Sequence, residues 1–332
     1  MPSHKLFLFG SFSCRLFGLS ANTALIENIS YITENNAVDI KNACENGMSE
    51  SMIDRLSLNE ARIRAISDAV LQVASLDDPC GKVVSGTKRP NGLLIEKVTV
   101  PLGVIAVIFE ARPNVTVDAA ALCLKSGNSV ILRGGKEAIN SNKAMTAIMR
   151  KAISSAGLPE NCIQLVEDTS RDSAVALMKM NDYVDVLIPR GGAGLIKSCV
   201  ANATVPVIET GTGNCHIYVD KDADLDMAAK IIFNAKTSRP SVCNACESLV
   251  IHRDIAKEAL PLIKAKLDEK NVILYGDEVA CEICPDIEKA TEDDWATEYL
   301  DYKMSVKIVS SLEEATDHIR KYSTGHSESI IT

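Results

Sequence analysis

From Val104 onward, short runs of β-branched residues alternate with helical stretches, and this alternation restricts the chain to parallel strands joined by helices. Residues 104–109, 129–133, 163–166 and 184–188 read as strands. Residues 115–125, closed by Gly127, and 141–156, closed by Gly157 and Pro159, read as the helices between them. After Val205 the pattern resumes, with strands at 215–219, 248–252 and 306–309 and helices at about 225–235, 255–267 and 312–321. An earlier helix is expected from Ser57. There Ser57-Leu-Asn-Glu60 has the form of a capping box, and Ile63, Ile66, Val70 and Val73 follow at helical spacing, up to Asp77-Asp-Pro79. A domain boundary is expected near residues 201–206, dividing the chain into 1–205 and 206–332.

A parallel sheet covered by helices binds its ligands beyond the carboxyl ends of the strands. The loops in that position are Glu110-Ala-Arg-Pro-Asn114, Arg133-Gly-Gly-Lys136 and Pro189-Arg-Gly-Gly-Ala-Gly194. Composition narrows the partners. A net charge of −9 repels a phosphate backbone, which argues against nucleic acid. No apolar run reaches the roughly 18 residues of a bilayer helix, so no membrane span is expected. Eleven cysteines, an odd number in 332 residues, suit a reducing cytoplasm and buried thiols better than a disulfide framework. The stretch from Lys5 to Arg15 is apolar but broken by Gly10 and Arg15, and reads as a surface arm or altered start rather than a targeting sequence. The acidic run Glu292-Asp-Asp294 reads as a solvated turn.

Two C-x-x-C pairs, Cys243/Cys246 and Cys281/Cys284, have the outline of a four-thiolate zinc site. The 34 residues between the pairs include a strand and a helix that would hold them apart, so no metal is expected. Among the cysteines Cys243 stands out. Arg239-Pro-Ser-Val-Cys-Asn244 places a cation, a stiffening proline and an amide around one thiol, the surroundings of a nucleophile with an oxyanion donor. Neither Gly191-Gly-Ala-Gly194 nor Gly211-Thr-Gly213 completes a G-x-G-x-x-G fingerprint. Even so, Gly191 and Gly192 fall between a strand and a helix, where exposed N–H groups could meet a phosphate. Arg133 and Lys136 follow a buried strand in a glycine turn, where a charge can grip a phosphate or a ribose.

At Pro101-Leu-Gly-Val-Ile-Ala-Val-Ile-Phe-Glu-Ala-Arg-Pro-Asn-Val-Thr116 the chain resembles the γ-glutamyl phosphate reductases of the aldehyde dehydrogenase superfamily. The same resemblance is carried by the blocks from Lys125 to Ala138, Val186-Leu-Ile-Pro-Arg-Gly-Gly192, Val207 to His216, Arg239 to Ala245, Asp294-Trp-Ala-Thr-Glu-Tyr-Leu300 and Gly325-His-Ser-Glu328. It covers residues 48–332 and is loose before that, where residues 31–36 look shortened.

The resemblance implies an aldehyde-dehydrogenase-like α/β fold, with a Rossmann-like cofactor domain that lacks the glycine fingerprint and a second α/β catalytic domain. It implies NADPH-dependent reduction of L-glutamyl 5-phosphate to glutamate 5-semialdehyde in proline biosynthesis, in the cytoplasm. Cys243 aligns with the family's nucleophile, Glu209 with the superfamily's acid/base glutamate and Glu298 with the glutamate on the nicotinamide ribose. Asn244 and Asn114 are the candidate oxyanion donors. Arg112 and Arg190 are the candidates for the substrate's carboxylate or phosphate, and Arg133, Gly134, Gly135, Lys136, Gly191 and Gly192 for the cofactor. The implied partners are the small-molecule substrate, a glutamate 5-kinase and further copies of the chain. Members of the family run on beyond the Gly325 block, so a fragment with an uncovered sheet edge and low solubility is expected. The alternatives are an oxidising aldehyde dehydrogenase and a non-catalytic paralogue that associates with a full-length partner.

Overall fold

The computed structural model describes residues 11–332 except Thr210. The Lys5–Gly10 part of the amino-terminal stretch lies outside the described residues; the rest opens the first helix. The chain forms two compact units, Met1–Thr210 and Gly211–Thr332.

The first unit begins with four helices, α1 (Ser11–Glu27), α2 (Ile29–Glu45), α3 (Glu50–Leu56) and α4 (Glu60–Ser75). Ile63, Ile66 and Val70 of α4 are buried and share one core with Phe17, Ala21 and Leu25 of α1, as the 3.6-residue spacing requires. The capping box is displaced by two residues. Asn59, not Ser57, accepts the N–H of Arg62, while the Ser57 hydroxyl donates back to the Ile53 carbonyl and ends α3. A two-stranded antiparallel ribbon follows, β1 (Val83–Lys88) and β2 (Leu94–Val98), exposed along its whole length.

Next come β3 (Val104–Phe109), α5 (Val115–Lys125), β4 (Ser129–Gly134), α6 (Ile139–Ser155), β5 (Ile163–Leu165), α7 (Arg171–Met178), β6 (Val186–Arg190) and α8 (Ala193–Asn202). These four strands form a parallel sheet in the order β5-β4-β3-β6. Ile105 to Phe109 are buried on both faces, which is why this strand reads as a continuous apolar run. The register sets Phe109 against Gly134 on one side and Arg190 on the other, so the three ligand-side loops leave from one edge. The start of α6 is fixed from a distance. Asp39 of α2 accepts hydrogen bonds from the backbone N–H groups of Asn140 and Ser141 and from both side chains, and the buried Asn36 donates to the Ser141 hydroxyl.

The second unit holds β7 (Cys215–Val219), α9 (Leu225–Thr237), β8 (Cys246–His252), α10 (Arg253–Asp268), β9 (Ile273–Gly276), α11 (Glu278–Ile283), β10 (Glu288–Lys289), β11 (Lys303–Val309), α12 (Leu312–Tyr322) and β12 (Glu328–Ile331). Its strands are parallel in the order β10-β9-β11-β8-β7-β12. Ile232 of α9 and Leu260 and Ile263 of α10 pack with Leu249, Ile251 and Val306 in the main core. Ala315 of α12 packs with Tyr218, Val250 and Val309 in a smaller one. The acidic turn is only partly solvated, because Asp294 accepts hydrogen bonds from Thr291 and from the Tyr299 hydroxyl.

Candidate active site

Cys243 lies in the tight turn between α9 and β8, closed by hydrogen bonds from Val242 N–H to the Arg239 carbonyl and from Ala245 N–H to the Val242 carbonyl. Its side chain is partly exposed and Asn244 beside it is exposed, whereas every residue from Ala245 to His252 is buried. The sequence thus lifts one thiol out of a strand that is otherwise sealed. Burial pushes the thiols of Cys215 and Cys246 up to about 12, so both stay protonated near neutral pH. The Cys215 Sγ donates to the Cys243 carbonyl at 3.3 Å.

Gly213 holds this turn in place. A Cβ at position 213 would lie 1.8 Å from the Cys243 carbonyl oxygen, so only glycine lets the two backbones meet. Its N–H donates to Glu298 Oε1 at 2.9 Å, which joins the cysteine turn to the Glu-Tyr-Leu segment. Gly213→Ala is expected to leave the fold intact by circular dichroism but to lower turnover about 100-fold, the scale of loss for a misplacement of about 1 Å at a reacting group. Gly211→Ala, where the nearest atom to an added Cβ is 3.8 Å away, should be close to unaltered. Equal activity in the two variants would show that the contact does not set the cysteine's position.

Under the turn lies a pair that the sequence reading does not single out. Lys236 Nζ of α9 and Glu247 Oε2 of β8 are 2.7 Å apart, and neither side chain is exposed. The other Glu247 oxygen accepts the Leu300 N–H at 3.2 Å, two residues beyond Glu298, where Leu300 sits at φ +54. Burial drives the Glu247 carboxyl upward against the pull of the Lys236 ammonium. The signal in the sequence is a lysine and a glutamate set among apolar residues at a helix end and a strand start.

In the first unit the structure brings the three predicted loops to one edge. Arg133 is 8% exposed and donates through Nη2 to the carbonyls of Thr169 and Ser170, at 2.7 and 2.8 Å. It braces the segment before α7, with its guanidinium turned to those backbone carbonyls. Lys136 is exposed beside the buried Gly134 and Gly135. Glu137 accepts the N–H of Ala111, which has a left-handed φ of +43, and so ties the β3 and β4 loops together.

Gly191 and Gly192, expected at the cofactor, lie against Glu110. The Gly192 N–H donates to Glu110 Oε2 at 3.1 Å, and the same carboxylate fills the space where a Cβ of residue 191 would stand. That amide already faces an anion, which disfavours a phosphate on it. Glu209 is exposed, two residues beyond the bridge between Val207 and Leu187. Arg112, Asn114 and Arg190 line a cavity of about 570 Å³ together with Asp118, a residue the sequence reading passes over. Asp118 lies one turn after Asn114 on α5 and accepts from the Asn114 amide at 2.8 Å.

The C-x-x-C cysteines are placed as apolar or hydrogen-bonded thiols. Cys246 and Cys284 belong to the main core of the second unit, and Cys281 donates to the carbonyls of Gly276 and Ile287. No group of three His, Cys, Asp or Glu side chains is arranged for a metal among the described residues.

The residues present fit a nicotinamide dinucleotide in two respects. Parallel strands end in an edge that carries the exposed Lys136, and Glu298 is held by the Gly213 amide beside the cysteine turn. No helix among the described residues is long and apolar enough to cross a membrane.

Residues 26–307 match the model of the aldehyde dehydrogenase family. The gamma-glutamyl phosphate reductase of Clostridium novyi is 58% identical over 309 residues, covering 93% of this chain and 74% of that one. That of Clostridium acetobutylicum is 56% identical over 95% of this chain and 75% of its own. The crystal structure of the Thermotoga maritima gamma-glutamyl phosphate reductase superposes with a TM-score of 0.88 at 46% identity, over 99% of this chain and 80% of that one.

Proposed function

The chain belongs to the γ-glutamyl phosphate reductases of the aldehyde dehydrogenase family, and on that premise we propose that it reduces L-glutamyl 5-phosphate to L-glutamate 5-semialdehyde and phosphate in proline biosynthesis, with NADPH as reductant. The observation that carries this reading is the seat of Cys243, partly exposed in a turn clamped by Gly213 while its neighbours Cys215 and Cys246 are buried. The Cys243 thiolate attacks the acyl carbonyl; a C–S bond forms, the C–O bond to phosphate breaks, and phosphate leaves with the electron pair. A bound nicotinamide would supply a hydride to the thioester carbonyl, and the C–S bond would break, returning the electron pair to the Cys243 thiolate as the aldehyde leaves. A thiol suits both steps, because it is nucleophilic near neutral pH and its ester remains electrophilic.

Asn244 and Asn114 supply donors to the oxyanion, Glu209 takes and returns protons, and Arg112 and Arg190 meet the anionic groups of the substrate. When the cofactor is bound, Lys136 would meet its 2′-phosphate and Glu298 its nicotinamide ribose. An acyl phosphate is labile, so a glutamate 5-kinase acts close by in the same cytoplasm. The exposed Val83, Val84, Leu94 and Ile95 of the β1–β2 ribbon support assembly with further copies.

The test is the reverse reaction, with semialdehyde, phosphate and NADP, followed by absorbance of the reduced cofactor. Strict dependence on phosphate is expected. Oxidation that proceeds without phosphate would reassign the chain to the oxidising aldehyde dehydrogenases. Lys136→Gln should weaken NADPH about tenfold, the worth of one hydrogen bond to a charged group, and leave NADH nearly unchanged. Arg133→Gln, which removes the brace on Thr169 and Ser170, should weaken both cofactors alike. Equal losses for the two cofactors in Lys136→Gln would remove Lys136 from the phosphate.

A further inference from the structure

The cavity at the ligand edge of the first unit has walls of Val70, Val73, Ala121 and Ile188, and its polar lining is Arg112, Asn114, Asp118 and Arg190. Asp118 is its single carboxylate. A carboxylate set half-buried into an apolar helix is costly unless something offsets the charge. Its surroundings offset it in part. The Asn114 amide donates to Oδ2 at 2.8 Å, and the Arg190 guanidinium pulls from further off. Burial consequently pushes the Asp118 carboxyl up, against the pull of Asn114 and of the more distant Arg190. One anion and two guanidiniums around a small apolar space complement a ligand that carries an ammonium and an anionic group on a short aliphatic stem.

We propose that Asp118 is the specificity residue for the α-ammonium of the substrate, so that the cavity selects an α-amino acid head and not merely a carboxylate. This deepens the reading of the chain as a glutamyl phosphate reductase and rests on it. The ammonium binds Asp118 Oδ1, and an arginine of the same cavity takes the α-carboxylate. The methylenes lie along the valine and isoleucine walls. A ligand that lacks the amino group leaves the carboxylate buried and unpaired, and a site built this way discriminates by that penalty.

The experiment compares glutamate 5-semialdehyde with 5-oxopentanoate, its analogue without the amino group, in the phosphate-dependent reverse reaction. The unaltered chain is expected to favour the amino-bearing aldehyde by about 100-fold in kcat/KM. Asp118→Asn should lose most of that factor, its kcat/KM falling far more on semialdehyde than on 5-oxopentanoate. An equal fall for both substrates in Asp118→Asn would overturn the proposal and leave the reductase reading standing. Equal turnover of the two aldehydes by the unaltered chain would also overturn it, and decides the matter even where the variant fails to fold. A chain that turns over neither aldehyde would overturn the reductase reading, and this proposal with it.

Discussion

Cys243→Ala leaves no measurable reduction of the acyl phosphate, and Cys246→Ala keeps most of it. The first substitution removes the atom that forms the covalent intermediate, and loss of a nucleophile from a catalytic set costs on the order of 10⁶ in rate. Nothing nearby can replace it. Cys215 and Cys246 are sealed in the sheet with thiols held at about 12, and the Cys215 Sγ is spent on the Cys243 carbonyl. Cys246→Ala removes one sulfur from the core of the second unit, a loss of packing rather than of chemistry. Assays in the reverse direction, with a count of the thiols alkylated in each variant, check both. Comparable activity in the two variants would end the assignment of Cys243 as nucleophile.

The second large effect is on stability. Lys236→Met should destabilise the second unit by about 3–5 kcal/mol, the usual cost of stripping one partner from a fully buried ion pair. The size follows from burial, since both side chains have zero exposure and Glu247 would keep its charge without a cation. Protonation of Glu247 is the only relief. Its folded pKa then lies further above the unfolded value, the native state binds the extra proton, and the loss of stability grows as pH rises through that window. Chemical denaturation at weakly acidic and weakly alkaline pH measures this. The double variant Lys236→Met with Glu247→Leu should recover most of the loss, because an apolar pair of similar volume has no charge to desolvate. A double variant as unstable as the single one would place the cost in packing and not in the unpaired carboxylate.

The strands from β3 through β8 and helices α5, α6 and α9 were legible because each carries its own signal, whereas α7 was not. Branched apolar runs mark the buried strands, and Gly127 and Gly157 mark the helix ends. What escaped depends on tertiary partners. Ser57 and Asn59 are both good caps two positions apart, and the choice between them is made by the Ile53 carbonyl, which claims the Ser57 hydroxyl. Helices α2 and α3 are held partly through Asn36 and Asp39, polar residues that pattern alone assigns to a surface. The same bias hides Lys236, Glu247 and Asp118, since a charge in an apolar segment reads as an interruption until its partners are known. At the site, the positions of Cys243 and Glu298 could be matched to motifs. The duty of Arg133 and the carboxylate of Glu110 at Gly192 could not, because each depends on where a distant loop runs.

The hold of Asp39 on the start of α6 also bears on how the first unit comes together. The bonded groups are separated by about a hundred residues of sequence, so the amino-terminal helices are synthesised well before the segment that completes them. Until Asn140 and Ser141 arrive, the Asp39 carboxylate has only water to satisfy it, and nothing favours burying it. Loop closure over that span must be paid before the contact rewards it, which raises the contact order of the unit and slows its folding. During that interval the apolar faces of α1 and α4 have only each other and, later, α5 for cover. A nascent chain of this kind depends on delayed docking of its first helices, and its exposure to misfolding is greatest in the stretch of translation between α4 and α6.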